Sequence, residues 1–208
     1  MSTAQKIFNS LNLHLPENSV QYCWDLWNED PFNFLITKSR STKLGDFRYR
    51  KDRPIQTITI NSDLNTFQFL ITYIHEVAHH RAFKNYGIAI KPHGLEWKKT
   101  FQEIISPMLS DLVFPKDILI PLKRHMLNPK ASTGADLFLN REIKKYNLQN
   151  QEPGHSLLND IKLGSIFELK GRKFQKETVR RTRVLCIEIP SGKKYLISAH
   201  AEVRKIEA

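Results

Sequence analysis

Cysteine is nearly absent from this chain. Its only two, Cys23 and Cys186 among 208 residues, stand far apart in sequence, which excludes a disulfide framework and any four-cysteine metal site. Uninterrupted apolar runs are also missing: none approaches the ~20 residues that span a bilayer. The first twenty residues carry a single Lys and an apolar pattern broken by Asn and Ser, unlike a signal or transit peptide. Internal repeats and low-complexity tracts are absent too. Together these absences predict a protein of the reducing cytoplasm that needs no staples, with no membrane contact; at this length one well-packed domain plus an appendage can bury a sizeable core.

Acidic residues are in deficit. There are 21 Asp and Glu against 32 Lys and Arg, for a net charge of +11, and the excess is densest in the last third. Such a balance suits polyanionic partners, nucleic acid foremost, although basic surfaces also serve solubility alone.

What is present alternates between two periods. Residues 3–14 and 18–29 carry helical spacing, with Leu11, Leu13, Val20, Trp24 and Trp27 as inward positions. Residues 33–37, 46–50 and the alternating 55–60 (IQTITI) read as strands of a small antiparallel sheet. From Thr66 the spacing of Phe67, Leu70, Ile71, Ile74, Val77 and Ala78 predicts a long amphipathic helix that ends near Gly87. A second helical pattern covers 95–109, broken by Pro107, and a short helix is expected over 135–146. Pro115, Pro121 and Pro129 punctuate the stretch between.

Residues 147–160 are polar, contain a Pro-Gly pair and are expected to be a linker. Beyond them, IFEL, RKFQ, VRRTRVLCIEI and KKYLIS alternate with turns at Lys170-Gly171 and Pro190-Ser191-Gly192, the pattern of a small β module. The predicted class is α+β: a core of helices and a small sheet over 1–146, a linker over 147–160, and a small basic β-rich module over 161–208.

The long helix carries His75-Glu76-Val77-Ala78-His79. Residues four apart lie about 40° apart on one helix face and one turn apart along it, so His75 and His79 can reach one metal ion. Glu76 is turned about 100° from His75, beside the ion, where a carboxylate can take a proton from water. A catalytic zinc site needs a third protein ligand and an open position; His93, in the Pro-His-Gly stretch beyond Gly87, is the candidate. His80 projects away from the pair as a surface or supporting residue. Trp97, with Phe101 and Ile104 or Ile105 at helical intervals, reads as packing behind the metal.

The segment HEVAHHRAFKNYGIAIKPHGLEWKKTF resembles the core signature of the SprT-like zinc metalloproteases, relatives of the Spartan protease. In these, H-E-x-x-H is followed by a His-Gly-x-x-Trp element, here His93-Gly94-Leu95-Glu96-Trp97. The resemblance extends upstream through Gly45 and IQTITI and downstream to NPKAS at 128–132. It implies a zincin fold binding one zinc ion through His75, His79 and His93, with Glu76 as general base. It also implies a DNA-stimulated endopeptidase that acts on proteins bound or crosslinked to DNA, single-stranded or damaged. Many members carry a cysteine zinc ribbon after the core; with only Cys186 available there, this chain replaces it with the β module.

In that chemistry zinc acidifies water and polarises the scissile carbonyl, while Glu76 moves the proton to the leaving amine. Ile55–Ile60 is the candidate edge strand for an extended substrate. Tyr73 and Tyr86 are near in sequence, yet fit a helical core as well as an oxyanion site. In the β module, Arg172, Lys173, Arg180, Arg181 and Arg183 are the candidate phosphate contacts, and Phe174 or Tyr195 could stack on bases. The reading from a different class is a nucleic-acid-associated regulatory or binding protein whose zinc site is structural or only residually active; an intact Glu76 argues against it.

Overall fold

The computed structural model describes residues 1–40, 42–148 and 155–206. The chain has an α+β fold and divides into two compact units, Met1–Leu139 and Asn140–Ala208.

The first unit opens with α1 (Thr3–His14), capped by the Ser2 side chain, and α2 (Val20–Glu29). Leu11, Val20 and Trp27 are buried as the spacing predicts, whereas Leu13 is exposed. Three strands follow: β1 (Asn33–Thr37), β2 (Gly45–Arg48) and β3 (Thr57–Asn61). Their order is β1-β3-β2. β1 runs parallel to β3 and β2 antiparallel to it, so the sheet is mixed rather than antiparallel. The IQTITI strand is central, and β2 is an outer strand; the expected edge strand is therefore the wrong one of the three. Buried Ile58 and Ile60 explain why it sits inside.

The turn into β2 is held by Asn61. Its side chain donates to the Arg40 and Lys43 carbonyls (3.1 and 2.9 Å) and accepts from Arg40 Nε (2.7 Å). These bonds fix where Gly45 starts the strand.

Helix α3 (Thr66–Tyr86) starts on Asn65, whose side chain accepts from Gln68 N, and ends at Gly87, where φ is 78°. It is buried on nearly every side, not amphipathic as expected, because β2 and β3 pack on one side and α1 and α4 (Leu95–Ile105) on others. Tyr73 is fully buried, its hydroxyl donating to the Cys23 carbonyl at 2.8 Å.

The proline-punctuated stretch contains a helix that the sequence reading did not expect, α5 (Lys116–Met126), with Pro121 inside it. Proline costs a helix one backbone hydrogen bond. Ile118, Leu119, Leu122 and Met126 bury a full apolar face, and that burial outweighs the loss. Helix α6 (Leu137–Leu148) ends the described stretch before residue 149. Residues 149–154, within the expected linker, lie outside the described residues.

The second unit holds a six-stranded sheet of order β4-β9-β5-β6-β7-β8. Its strands are β4 (His155–Leu157), β5 (Ile166–Leu169), β6 (Arg172–Val179), β7 (Arg183–Glu188), β8 (Lys194–Ser198) and β9 (Glu202–Lys205). Two short strands at one end of the sheet, β4 at its edge and β9 between β4 and β5, were not foreseen. Leu158, Phe167, Phe174, Val184, Cys186 and Val203 form its core. Lys176 is buried there, its ammonium donating to the carbonyls of Leu158, Asn159 and Ile161 at 2.9, 3.0 and 2.7 Å. Among the described residues no helix is long and apolar enough to cross a membrane.

Candidate metal centre

The three predicted histidines come together. His79 Nε2 lies 2.9 Å from His93 Nε2, which lies 3.2 Å from His75 Nε2. One ligand atom from each falls within 4.8 Å of the others, close enough to bind a metal ion. His75 and His79 are placed by the helical repeat. His93 is placed by a turn closed through Gly94 N and the Lys91 carbonyl at 2.8 Å.

That turn puts His93 at φ 57°, in the left-handed region, where a side chain costs of order 1–3 kcal/mol. A Cβ on Gly94 would come 2.8 Å from the Lys91 carbonyl oxygen, so the His-Gly pair is what lets the turn close. The backbone accepts the cost at the residue that completes the cluster.

Trp97 closes the cluster from behind. Fully buried on α4, its ring lies 4.7 Å from both His75 and His93 and 5.2 Å from His79, with Phe101 stacked beyond it at 5.0 Å. On β2, Phe47 lies parallel to His79 at 6.5 Å.

This environment keeps the imidazoles neutral. Burial, then the neighbouring His79, His93 and His125, hold His75 well below its ordinary value. Burial and His93 push His79 down to about 3, and burial lowers His93. A neutral imidazole offers one ring-nitrogen lone pair, and a cation held among the three Nε2 atoms would satisfy all of them at once. The donor set fits a metal ion.

Glu76 is buried beside the cluster. Burial, then the charge of Asp46, push its carboxyl up to about 8, opposed by a hydrogen bond from the Phe47 backbone N–H. Asp46 is itself paired with Lys43 at 2.8 Å and Arg48 at 2.6 Å. Gly45 touches Glu76 directly: a Cβ there would stand 2.7 Å from Oε1.

The cluster and Glu76 open into a cavity of about 470 Å³, whose other walls include Leu44 to Phe47 of the β2 edge, Pro92 and Ala131 to Thr133. The last segment is braced by buried His125, whose Nδ1 is 3.0 Å from Asp136, and by Lys98 on Asn128 at 2.7 Å. Sequence reasoning assigned nothing to His125, Asp46 or Asp136. Their only linear trace was Gly45 and the NPKAS stretch. Tyr73 and Tyr86 do not line the cavity. His80 is buried rather than on the surface, 3.3 Å from the Asp30 carboxylate and edge-on to Phe32.

In the β module the candidate cations fall on different faces. Arg172 is paired with Glu188 at 2.6 Å and lies over the rings of Phe174 and Tyr195. Phe174 is buried, so its ring does not form the expected platform for bases, and Tyr195 is half-buried, edge-on to Phe174. Alternation along β6 turns Lys173 to the opposite face, shared with Arg183 across the β6–β7 ladder. Lys173, Arg180, Arg181 and Arg183 are all exposed.

No family model, curated protein or solved structure matches the chain.

Proposed function

We propose that the first unit is a zinc-dependent endopeptidase of the SprT-like, zincin kind, working near nucleic acid. The observation that carries this reading is the convergence of three neutral imidazoles with a buried carboxyl beside them at an open cleft. Nitrogens 2.0–2.1 Å from one tetrahedral zinc ion stand roughly 3.3 Å apart, near the separations found here. His75, His79 and His93 would hold the ion. Three donors, with no fourth in the cluster among the described residues, leave the open position that separates catalytic from structural sites.

A zinc ion so held supplies Lewis acidity, polarising a carbonyl and acidifying water. Glu76 does the proton work: with the cation's charge beside it offsetting the burial that raises its carboxyl and favouring the ionised form, it would accept a proton from the attacking water and return it to the leaving amine. The Phe47 backbone N–H and the close fit against Gly45 keep that carboxylate aimed. Trp97 excludes water from behind the ligands and fixes their ring planes. The outer edge of β2 offers backbone groups to an extended polypeptide, which gives affinity with little sequence demand.

The nucleic-acid half of the reading rests on the net charge of +11 and on the exposed Lys173, Arg180, Arg181 and Arg183. The test is cleavage of a basic DNA-binding protein by the zinc-loaded chain and by Glu76→Gln, each with and without single-stranded DNA. Cleavage that needs DNA and vanishes in the variant supports both halves. Folded protein that holds one zinc and cleaves nothing turns the reading toward a binding protein.

A further inference from the structure

Strand β8 ends the six-stranded sheet, and among the described residues no strand lies on its far side. Tyr195 and Ile197 pack against the core, so alternation turns Lys194, Leu196 and Ser198 to the opposite face. The hydrogen bonds at both ends of the β7–β8 pair have one phase. Glu188 N–H donates to the Lys193 carbonyl at 2.9 Å, and Ala199 N–H to the Thr182 carbonyl at 3.1 Å. The alternate residues between them, Tyr195 and Ile197, therefore bond to β7, and the backbone N–H groups of Lys194, Leu196 and Ser198 point away from the sheet. The Ser198 carbonyl accepts from Ala201 N–H at 3.0 Å. What is left is a short open edge centred on Leu196.

The side chains beside that edge are of two kinds. Val184 and Cys186 of β7 belong to the core, so Arg183, Leu185 and Ile187 share the outer face with β8. Leu196 lies directly across from Leu185, Lys194 from Ile187 and Ser198 from Arg183. Leu196 is 44% exposed in the middle of the edge, where folded proteins ordinarily place charge or proline. The three aliphatic side chains form a stripe between exposed Lys194 at one end and exposed Arg183 at the other. None of the six is a carboxylate.

That pattern selects the occupant. Nucleic-acid bases stack on rings, and Phe167, Phe174 and Tyr195 all pack on the inner face. A second copy of this chain would set the Lys194 of each copy beside Ser198 and Arg183 of the other, like charge against like. We propose that the open edge of β8 docks an extended acidic segment of a partner protein, which adds to the sheet as a further strand. Its main chain pairs with Lys194 and Leu196. One aliphatic side chain meets Leu196 and Leu185, and acidic residues two positions to either side meet Lys194 and, over the small Ser198, Arg183. The recognised pattern is Asp or Glu, any residue, then Leu, Ile or Val, any residue, and Asp or Glu. This gives the β module a protein partner and does not rest on the peptidase reading.

The probe is a fluorescein-labelled peptide, Thr-Glu-Thr-Leu-Thr-Glu-Thr, titrated against the full chain by anisotropy beside its counterpart with Lys in place of both Glu. The expected result is at least about tenfold tighter binding of the acidic peptide, since like charges at an interface exclude the wrong partner. In the complex the amides of Lys194 and Leu196 become protected from hydrogen exchange. Lys194→Glu removes the preference. Leu196→Pro deletes an N–H that no neighbouring strand uses, so the module keeps its fold by circular dichroism while peptide binding is lost. Leu196→Ser keeps the backbone intact and weakens binding through the lost aliphatic contact alone.

Binding of neither peptide, equal binding of both, or protection of amides elsewhere in place of these two overturns the proposal. A labelled oligothymidylate that protects Lys194 and Leu196 where the acidic peptide does not assigns the edge to nucleic acid instead. A chain that sediments as a dimer until Leu196→Pro is introduced assigns it to a second copy.

Discussion

Glu76 occupies the space that a side chain at position 45 would need. A Cβ on Gly45 would lie 2.7 Å from Glu76 Oε1, 2.8 Å from its Cγ and 2.7 Å from Thr72 Cγ2. Gly45→Ala therefore displaces Glu76, the proposed general base, while the three histidines stay in place. The expected outcome is about a 10²-fold loss in kcat, the scale of an ångström-sized misplacement, with zinc affinity by calorimetry nearly unchanged.

Stability of the metal-free protein should depend on pH in two opposed ways. His79 is pushed by burial from 6.5 to about 3. Between those values the unfolded chain binds a proton that the folded chain refuses, so stability rises with pH. Glu76 is pushed by burial from 4.5 to about 8. Across that window the folded chain holds the extra proton, and stability falls as pH rises. Each group contributes at most ~1.4 kcal/mol per pH unit. Denaturation of the metal-free chain at pH 6.5 to 8 should show this decline, and Glu76→Gln should remove it.

The two faces of the β module make separate predictions for polyanion binding. Lys173, Arg180, Arg181 and Arg183 are exposed, whereas Arg172 is spent on Glu188, Phe174 and Tyr195. Changing each of the four to Ala should lower the slope of log affinity against log salt by about one. Arg172→Ala should leave that slope unchanged and lower the melting temperature instead. Titration with a labelled oligonucleotide at several salt concentrations reads both.

Lys176 is a structural cation. Lys176→Met keeps the aliphatic stem but strands the Leu158, Asn159 and Ile161 carbonyls. The Leu158 and Ile161 bonds are buried and the Asn159 bond only partly so; at about 1–3 kcal/mol for each of the two buried groups left without a partner, the loss should be roughly 2 kcal/mol or more. Urea denaturation followed by circular dichroism measures it.

Part of the candidate site was legible because its spacing is local. His75, Glu76 and His79 depend only on the 3.6-residue repeat, and His93-Gly94 only on a turn that Gly94 allows to close. The rest was not legible, because it depends on contacts between distant segments. Asp46 bears on Glu76 across thirty positions of sequence, and Ala131–Thr133 reach the cleft through a clasp between His125 and Asp136. A buried central strand and an exposed edge strand carry similar β-branched patterns, so IQTITI could not announce which it was. Pro121 looked like a stop because its cost is local, while the burial that offsets it is not.

By itself, then, the sequence determined the helices other than α5, most strands, the basic balance and the two histidine-bearing motifs, since each follows from periodicity or short-range turn chemistry. The tertiary structure alone decided which strand borders the cleft, what raises the affinity of Glu76 for its proton, and which cations stay free. Those outcomes turn on burial and on pairing partners far apart in the chain, and neither is written in any short stretch of residues.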